Sequence, residues 1–179
     1  GLGDLSLLEK DYNKSLGFFN KAVEIEPGDV NPYYARINFY IKKEKFDLAI
    51  GDIISVRKLS PDDPDSYYKE AIVNNKLNRI KAIQNITTAI EKQTLSLKND
   101  SSGNEYYLYN GTSGYLQKRI YLEDLYLFRS DLFYKYGDLG SYCNDLQTAL
   151  RYVSSEKHGI KKTQGQEESL KNLVNEKCN

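Results

Sequence analysis

The chain has 179 residues, and 25 lysines and arginines balance 25 aspartates and glutamates for a formal net charge of zero. Its basic residues are spread along the sequence, which gives no support to a surface tracking nucleic-acid phosphates. No apolar run approaches the roughly 20 residues of a membrane-spanning helix, and no secretory signal opens the sequence.

The first stretch, LGDLSLLEKDYNKSL, reads as the end of one helix, a turn and the start of the next, so the sequence opens inside a repeat and reads as a fragment, with room for a targeting segment upstream. A helix over residues 12–26 follows, with Leu16, Phe19, Ala22 and Val23 at helical spacing and Pro27 ending it. Pro61 lies 34 residues beyond Pro27, and the same interval relates Tyr12 to Phe46, Leu16 to Ile50, Tyr33 to Tyr67 and Ile37 to Ala71. A period of that size implies one helix–turn–helix unit per repeat, each too small to bury its apolar face alone. In the second unit, Asn31-Pro32 opens a helix carrying Tyr33, Ile37, Tyr40 and Ile41. A polar turn over 42–45 leads to a helix with Phe46, Ala49, Ile50, Ile53 and Ile54, closed by Ser60-Pro61. The third unit opens with Asp65 or Ser66 as helix cap, continues through Tyr67, Ala71 and Ile72, and adds a helix with Ile80, Ile83, Ile86 and Ile90 running to about Lys98.

The period then breaks. Residues 99–119 are turn-rich and read either as a solvated loop or as a short β-hairpin of 106–109 against 113–116, turning at Asn110-Gly111. The helical pattern returns at Ile120, turns at Tyr136-Gly137-Asp138 and continues through Leu139, Tyr142, Leu146 and Ala149. A Gly/Lys/Ser-rich linker over 154–165 precedes a last helix with Leu170, Leu173, Val174 and Cys178 on one face, the pattern of a cap. The expected architecture is an all-α solenoid of antiparallel helix pairs: a partial repeat at 1–29, repeats at 30–63, 64–98 and 120–154, an insertion at 99–119 and a cap helix at 165–178. Sixteen tyrosines and no tryptophan or methionine suit such a thin stack, because tyrosine offers a broad apolar face and a hydroxyl that stays wet.

Three segments, LGDLSLLEKDYNKSLGFFNKAVEIEP, YYARINFYIKKEKFDLAIGDIISVRKLSP and YLFRSDLFYKYGDLGSYCNDLQTAL, resemble the tetratricopeptide repeat family. The family's pattern is an early aromatic, a Leu-Gly or Arg-Gly pair, a Gly-Asp-Tyr-like turn, small and aromatic residues in the second helix and a closing proline. The first segment matches from its Leu-Gly pair to the proline, the second runs from its aromatic to its proline, and the third carries the turn as Gly137-Asp138-Leu139 with Ala149 in the second helix. Departures are Lys10 and Glu44 at the turn glycine, Ile37 at the helix glycine and Tyr142 at a small position. Residues 67–90 are the most degenerate unit, one residue shorter in the turn. The resemblance implies a concave surface, lined by first helices, that binds a peptide or protein segment. Carried onto this sequence, its contact residues are Asn31, Tyr34, Asn38, Ile41 and Lys42 in repeat two. In repeat three they are Tyr68, Ile72, Asn75 and Lys76, and in the last repeat Leu127, Asp131, Tyr134 and Lys135. Some members clamp a terminal carboxylate. Asn38 fits one clamp place, but Tyr34, Tyr68, Leu127 and Asp131 stand where cations or amides are needed, so that specificity is not expected.

Catalytic chemistry has little to work with. The one histidine, His158, lies in SEKHGIKK, where an exposed idle residue belongs, and two cysteines with one histidine offer no zinc-ligand spacing. Asp62, Asp63 and Asp65 sit at a repeat junction as helix-capping residues. Residues 99–105 have the calcium-loop glycine misplaced and its terminal bidentate glutamate missing, and no phosphate loop or nucleophile elbow occurs. No cofactor, metal or nucleic acid is expected.

A cap packed on the last repeat brings the helices of Cys143 and Cys178 together. The arrangement resembles bacterial tetratricopeptide repeat proteins from outside the cytoplasm, whose last helix is stapled to the preceding repeat. The two readings are a Cys143–Cys178 disulfide, with an extracytoplasmic location, or two buried thiols in a cytoplasmic protein. The leading functional expectation is a non-catalytic module binding a protein or peptide in the concave groove. Its alternative is a structural component of a cell-envelope complex acting through self-association or the insertion.

Overall fold

The computed structural model describes residues 12–99, 122–154 and 164–178. Among the described residues there are eight helices and no strand: α1 Tyr12–Ile25, α2 Val30–Lys42, α3 Phe46–Leu59, α4 Pro64–Leu77, α5 Arg79–Asn99, α6 Leu122–Lys135, α7 Leu139–Ser154 and α8 Gln164–Cys178. Within each described stretch every helix packs against its neighbours in the chain, α5 packs on α6, and α7 packs on α8. The first helices are therefore α2, α4 and α6, the second helices α1, α3, α5 and α7, and α8 packs on α7. The candidate hairpin and the first turn, with Lys10, fall outside the described residues.

Helix starts recur with the period, and the reason is local. Asp29 caps α2 by accepting from the Asn31 amide at 3.0 Å, and Asp63 caps α4 by accepting from the Asp65 amide at 3.0 Å. The α4 cap is thus Asp63 rather than Asp65 or Ser66, because Pro64 has the fixed φ and absent N–H that suit the first helical position. Likewise α2 begins at Val30, one residue before Asn31. The Tyr33 hydroxyl donates to the Pro27 carbonyl and the Tyr67 hydroxyl to the Pro61 carbonyl, both at 3.3 Å, tying each first helix to the turn before it.

The turns within repeats two and four share one hydrogen-bond pattern. The Lys45 amide reaches back to the Tyr40 carbonyl at 2.9 Å, and the Asp138 amide to the Phe133 carbonyl at 3.0 Å. Each turn needs one left-handed residue, supplied by Gly137 at φ 80° and by Glu44 at φ 55°. Repeat three dispenses with that residue. Asn78 alone separates α4 from α5, ending one helix and accepting from the Lys81 amide of the next.

The interior is a string of small clusters rather than one core. Val30, Ile37, Ile53 and Val56 fill repeat two. Phe19, Phe39, Tyr40, Ala49 and Val73 join repeats one to three. Ala71, Ala82, Ile86, Ala89, Leu122, Leu125 and Leu132 join repeats three and four. Tyr142, Leu146 and Ala149 pack on Leu170 and Val174 of the cap. Tyr142 occupies the place held by Ala49 in repeat two, and it fits because the cap helix, not another first helix, lies against it. Ile54 and Ile80, which the apolar spacing placed with the core, are exposed; in α5 the expected Ile86 and Ile90 are buried, joined by Ala82 and Ala89.

Candidate protein-interaction surface

The side chains expected on the first helices divide by exposure. Asn38, Lys42, Lys76, Asp131, Tyr134 and Lys135 are open to solvent. Lys42, Lys76 and Lys135 hold the same register at the ends of α2, α4 and α6, where the helix dipole favours a cation. Lys135 Nζ donates to Asn75 Oδ1 at 3.2 Å, so expected contact residues from α4 and α6 meet on one surface. Tyr134 lies at the cap end, its ring centroid 5.0 Å from that of Tyr142.

The remaining candidates are half-buried. Ile41 packs between the two clusters of repeat two, Leu127 packs beside the cap cluster, and Asn31 and Ile72 are partly covered. Tyr68 stands edge-on to Phe128 of α6 with centroids 5.4 Å apart. Burial raises its phenol pKa above the ordinary range. Tyr34 donates its hydroxyl to Asp63 Oδ2. Asp63 is 1% exposed, and burial pushes its carboxyl up to about 6, against the lowering effect of the Tyr34 hydrogen bond. Tyr34 and Tyr68 therefore hold successive repeats together.

Two arginine contacts tie neighbouring repeats together, and sequence reasoning missed both. Arg36 of α2 grips Asp52 of α3 through Nε at 2.8 Å and Nη2 at 2.7 Å, while its Nη1 donates to Asn20 of α1 at 2.8 Å. At the same register two repeats on, Arg129 of α6 grips Asp145 of α7 at 2.7 and 2.8 Å, and its Nη1 donates to Thr87 of α5 at 2.9 Å. Each guanidinium thus ties its own helix pair to the second helix of the preceding repeat. Repeat three reverses the polarity: Glu70 occupies the arginine's place and pairs with Arg57 of the preceding repeat. The signal was present as two Arg/Asp pairs, each separated by 16 residues. At the far end Cys143 of α7 and Cys178 of α8 are joined by a disulfide, with Cα atoms 5.5 Å apart.

Among the described residues no group of three His, Cys, Asp or Glu is arranged to hold a metal ion. None of their helices is long and apolar enough to cross a membrane.

No protein-family model matches the sequence. Over 73 residues, 41% of the chain, it is 30% identical to serine/threonine-protein phosphatase 5 of Mus musculus, a stretch that makes up 15% of that protein. Over 69 residues, 38% of the chain, it is 28% identical to tetratricopeptide repeat protein 28 of Homo sapiens, covering 3% of it. The chain thus spans a small part of these relatives. Among solved structures, MamA from Desulfovibrio magneticus RS-1, residue 41 to its end, superposes with a TM-score of 0.61 at 13% identity, over 86% of this chain and 73% of that one. A crystal structure of MamA protein superposes with a TM-score of 0.58 at 14% identity, over 99% of this chain and 82% of that one. At such identity the likeness is one of fold. Repeated helix pairs in the sequence, their stacking in the structure and similarity over part of the chain to a protein named for these repeats show an all-helical solenoid of tetratricopeptide-repeat type.

Proposed function

We propose that the chain is a non-catalytic module that binds a segment of another protein along the face formed by α2, α4 and α6. The observation that carries this reading is the bond between Lys135 and Asn75, which joins exposed register-equivalent regions of two first helices into one surface. Rigid helices present Asn38, Lys42, Lys76, Asp131 and Lys135 on a backbone that is already ordered before binding. The phosphatase similarity does not argue for catalysis, because it involves 15% of that protein. The disulfide supports work in an oxidising compartment outside the cytoplasm.

The test is affinity capture with the full chain against Asn38→Arg combined with Asp131→Arg, both exposed mid-helix positions. The reading expects specifically captured proteins to be lost while far-UV circular dichroism is unchanged. Undiminished capture by the double variant would move binding away from the first helices.

A further inference from the structure

The turn between α4 and α5 carries a patch that the repeat fold does not require. Leu77 is 59% exposed and Ile80 is 67% exposed, on either side of the one-residue turn at Asn78. At equivalent register, repeats two and four place Lys43 and Tyr136 instead of Leu77, and Asp47 and Gly140 instead of Ile80. The repeat therefore folds with non-aliphatic residues at both places. Around the two apolar side chains stand Lys76, Arg79 and Lys81, all exposed.

The charges are as uneven as the apolar groups. Lys76 suits the end of α4, but Arg79 and Lys81 lie in the first turn of α5, where the helix dipole disfavours cations. No acidic residue offsets them in that turn. Among the described residues none of the three forms an ion pair with a carboxylate; Asp138, in the next repeat's turn, feels Arg79 only as a nearby charge. The Arg79 guanidinium is held over the Tyr136 ring, 4.3 Å from its centroid, so the patch continues onto repeat four beside Lys135. A chain of zero net charge thus has a locally cationic turn edge with aliphatic side chains at its centre.

We propose that this edge docks an acidic protein segment carrying aliphatic anchor residues, with carboxylates meeting Lys76, Arg79 and Lys81 and the anchors covering Leu77 and Ile80. The aliphatic centre favours a polypeptide over a nucleic acid, whose phosphates would leave it bare. This goes beyond the proposed function: it adds a second contact, at the turn edge beside the first-helix face, and names the chemistry of the segment that would occupy it.

Fluorescence anisotropy on the full chain tests it. The probe is a labelled synthetic peptide of glutamates with two leucines three positions apart. Comparison ligands are the same peptide with serines for leucines, an oligothymidine and phosphatidylserine vesicles. The leucine peptide is expected to bind most tightly and to weaken as salt rises. Leu77→Ser with Ile80→Ser, and separately Arg79→Glu with Lys81→Glu, are each expected to weaken it by about ten-fold or more. All four positions are exposed, so the variants should keep the wild-type circular dichroism spectrum. The proposal is overturned by no binding of the leucine peptide, by equal or tighter binding of any comparison ligand, or by unchanged affinity in either variant. These variants leave Asn38 and Asp131 in place, so loss of capture in the Arg/Arg variant alone would retain the first-helix reading and sink this one.

Discussion

Asp145→Ala should cost about 3 kcal/mol of stability, and the structure shows why. Asp145 is 2% exposed and accepts two charged hydrogen bonds from Arg129, whose side chain is 16% exposed. Truncating the aspartate strands a guanidinium in a site closed by Tyr126 and Phe133, whose rings lie 5.4 and 5.9 Å from it. Breaking a buried pair from one side costs roughly 3–5 kcal/mol, and the residual exposure of Arg129 puts this case at the lower end. Removing both charges is different, because the desolvation cost of the pair disappears with it. Arg129→Met with Asp145→Leu should come within about 1 kcal/mol of wild type. Urea denaturation followed by far-UV circular dichroism measures all three proteins. A loss below about 1 kcal/mol for Asp145→Ala would refute the clamp as a junction between repeats. Asp52→Ala should behave in parallel, since Arg36 makes the same set of bonds.

Glu44→Gly should stabilise by about 1 kcal/mol in the same assay, because Glu44 holds φ 55° in a turn where its counterpart is Gly137. Asp63 makes stability depend on pH with a definite sign. Its folded carboxyl titrates at about 6, above the ordinary 3.8, so the folded state holds the proton more tightly. Its contribution is therefore full below pH 4 and lost as pH rises through 6, an amount of about 3 kcal/mol, and Asp63→Asn should flatten unfolding curves between pH 4 and 7. Reduction with a dithiol should lower the melting temperature, since closing a loop of this length stabilises by up to about 4 kcal/mol. Cys143→Ser should give the same lowered value without reductant, and an unchanged melting temperature would remove the staple from the account.

The parts of the fold legible in the sequence are those governed by neighbours along the chain. Pro27 and Pro61 end their helices by local chemistry, so the repeat shows them directly; the cap was legible only to within two or three residues, as Asp65 or Ser66 for Asp63, and the bonds of Tyr33 and Tyr67 to the proline carbonyls were not anticipated. The arginine clamps were illegible for the opposite reason. Each clamp spans three helices, and the intervening repeat replaces arginine with Glu70, so no simple period displays them. Exposure on the first helices was also hidden. Tyr34 and Tyr68 sit at register positions that could face solvent, but whether they do depends on Asp63, the cap of α4, and on Phe128 of α6. The cysteine pair was legible only conditionally, because it required the cap to pack on the last repeat.

Site-specific photocrosslinking tests the central claim most directly. A benzophenone side chain at Asn38 or Asp131, on the first helices, is compared with one at Lys58 or Arg151, exposed on the second helices. The account predicts adducts to a partner protein from Asn38 and Asp131 and none from Lys58 or Arg151. Adducts confined to Lys58 and Arg151 would contradict it and place recognition on the second helices.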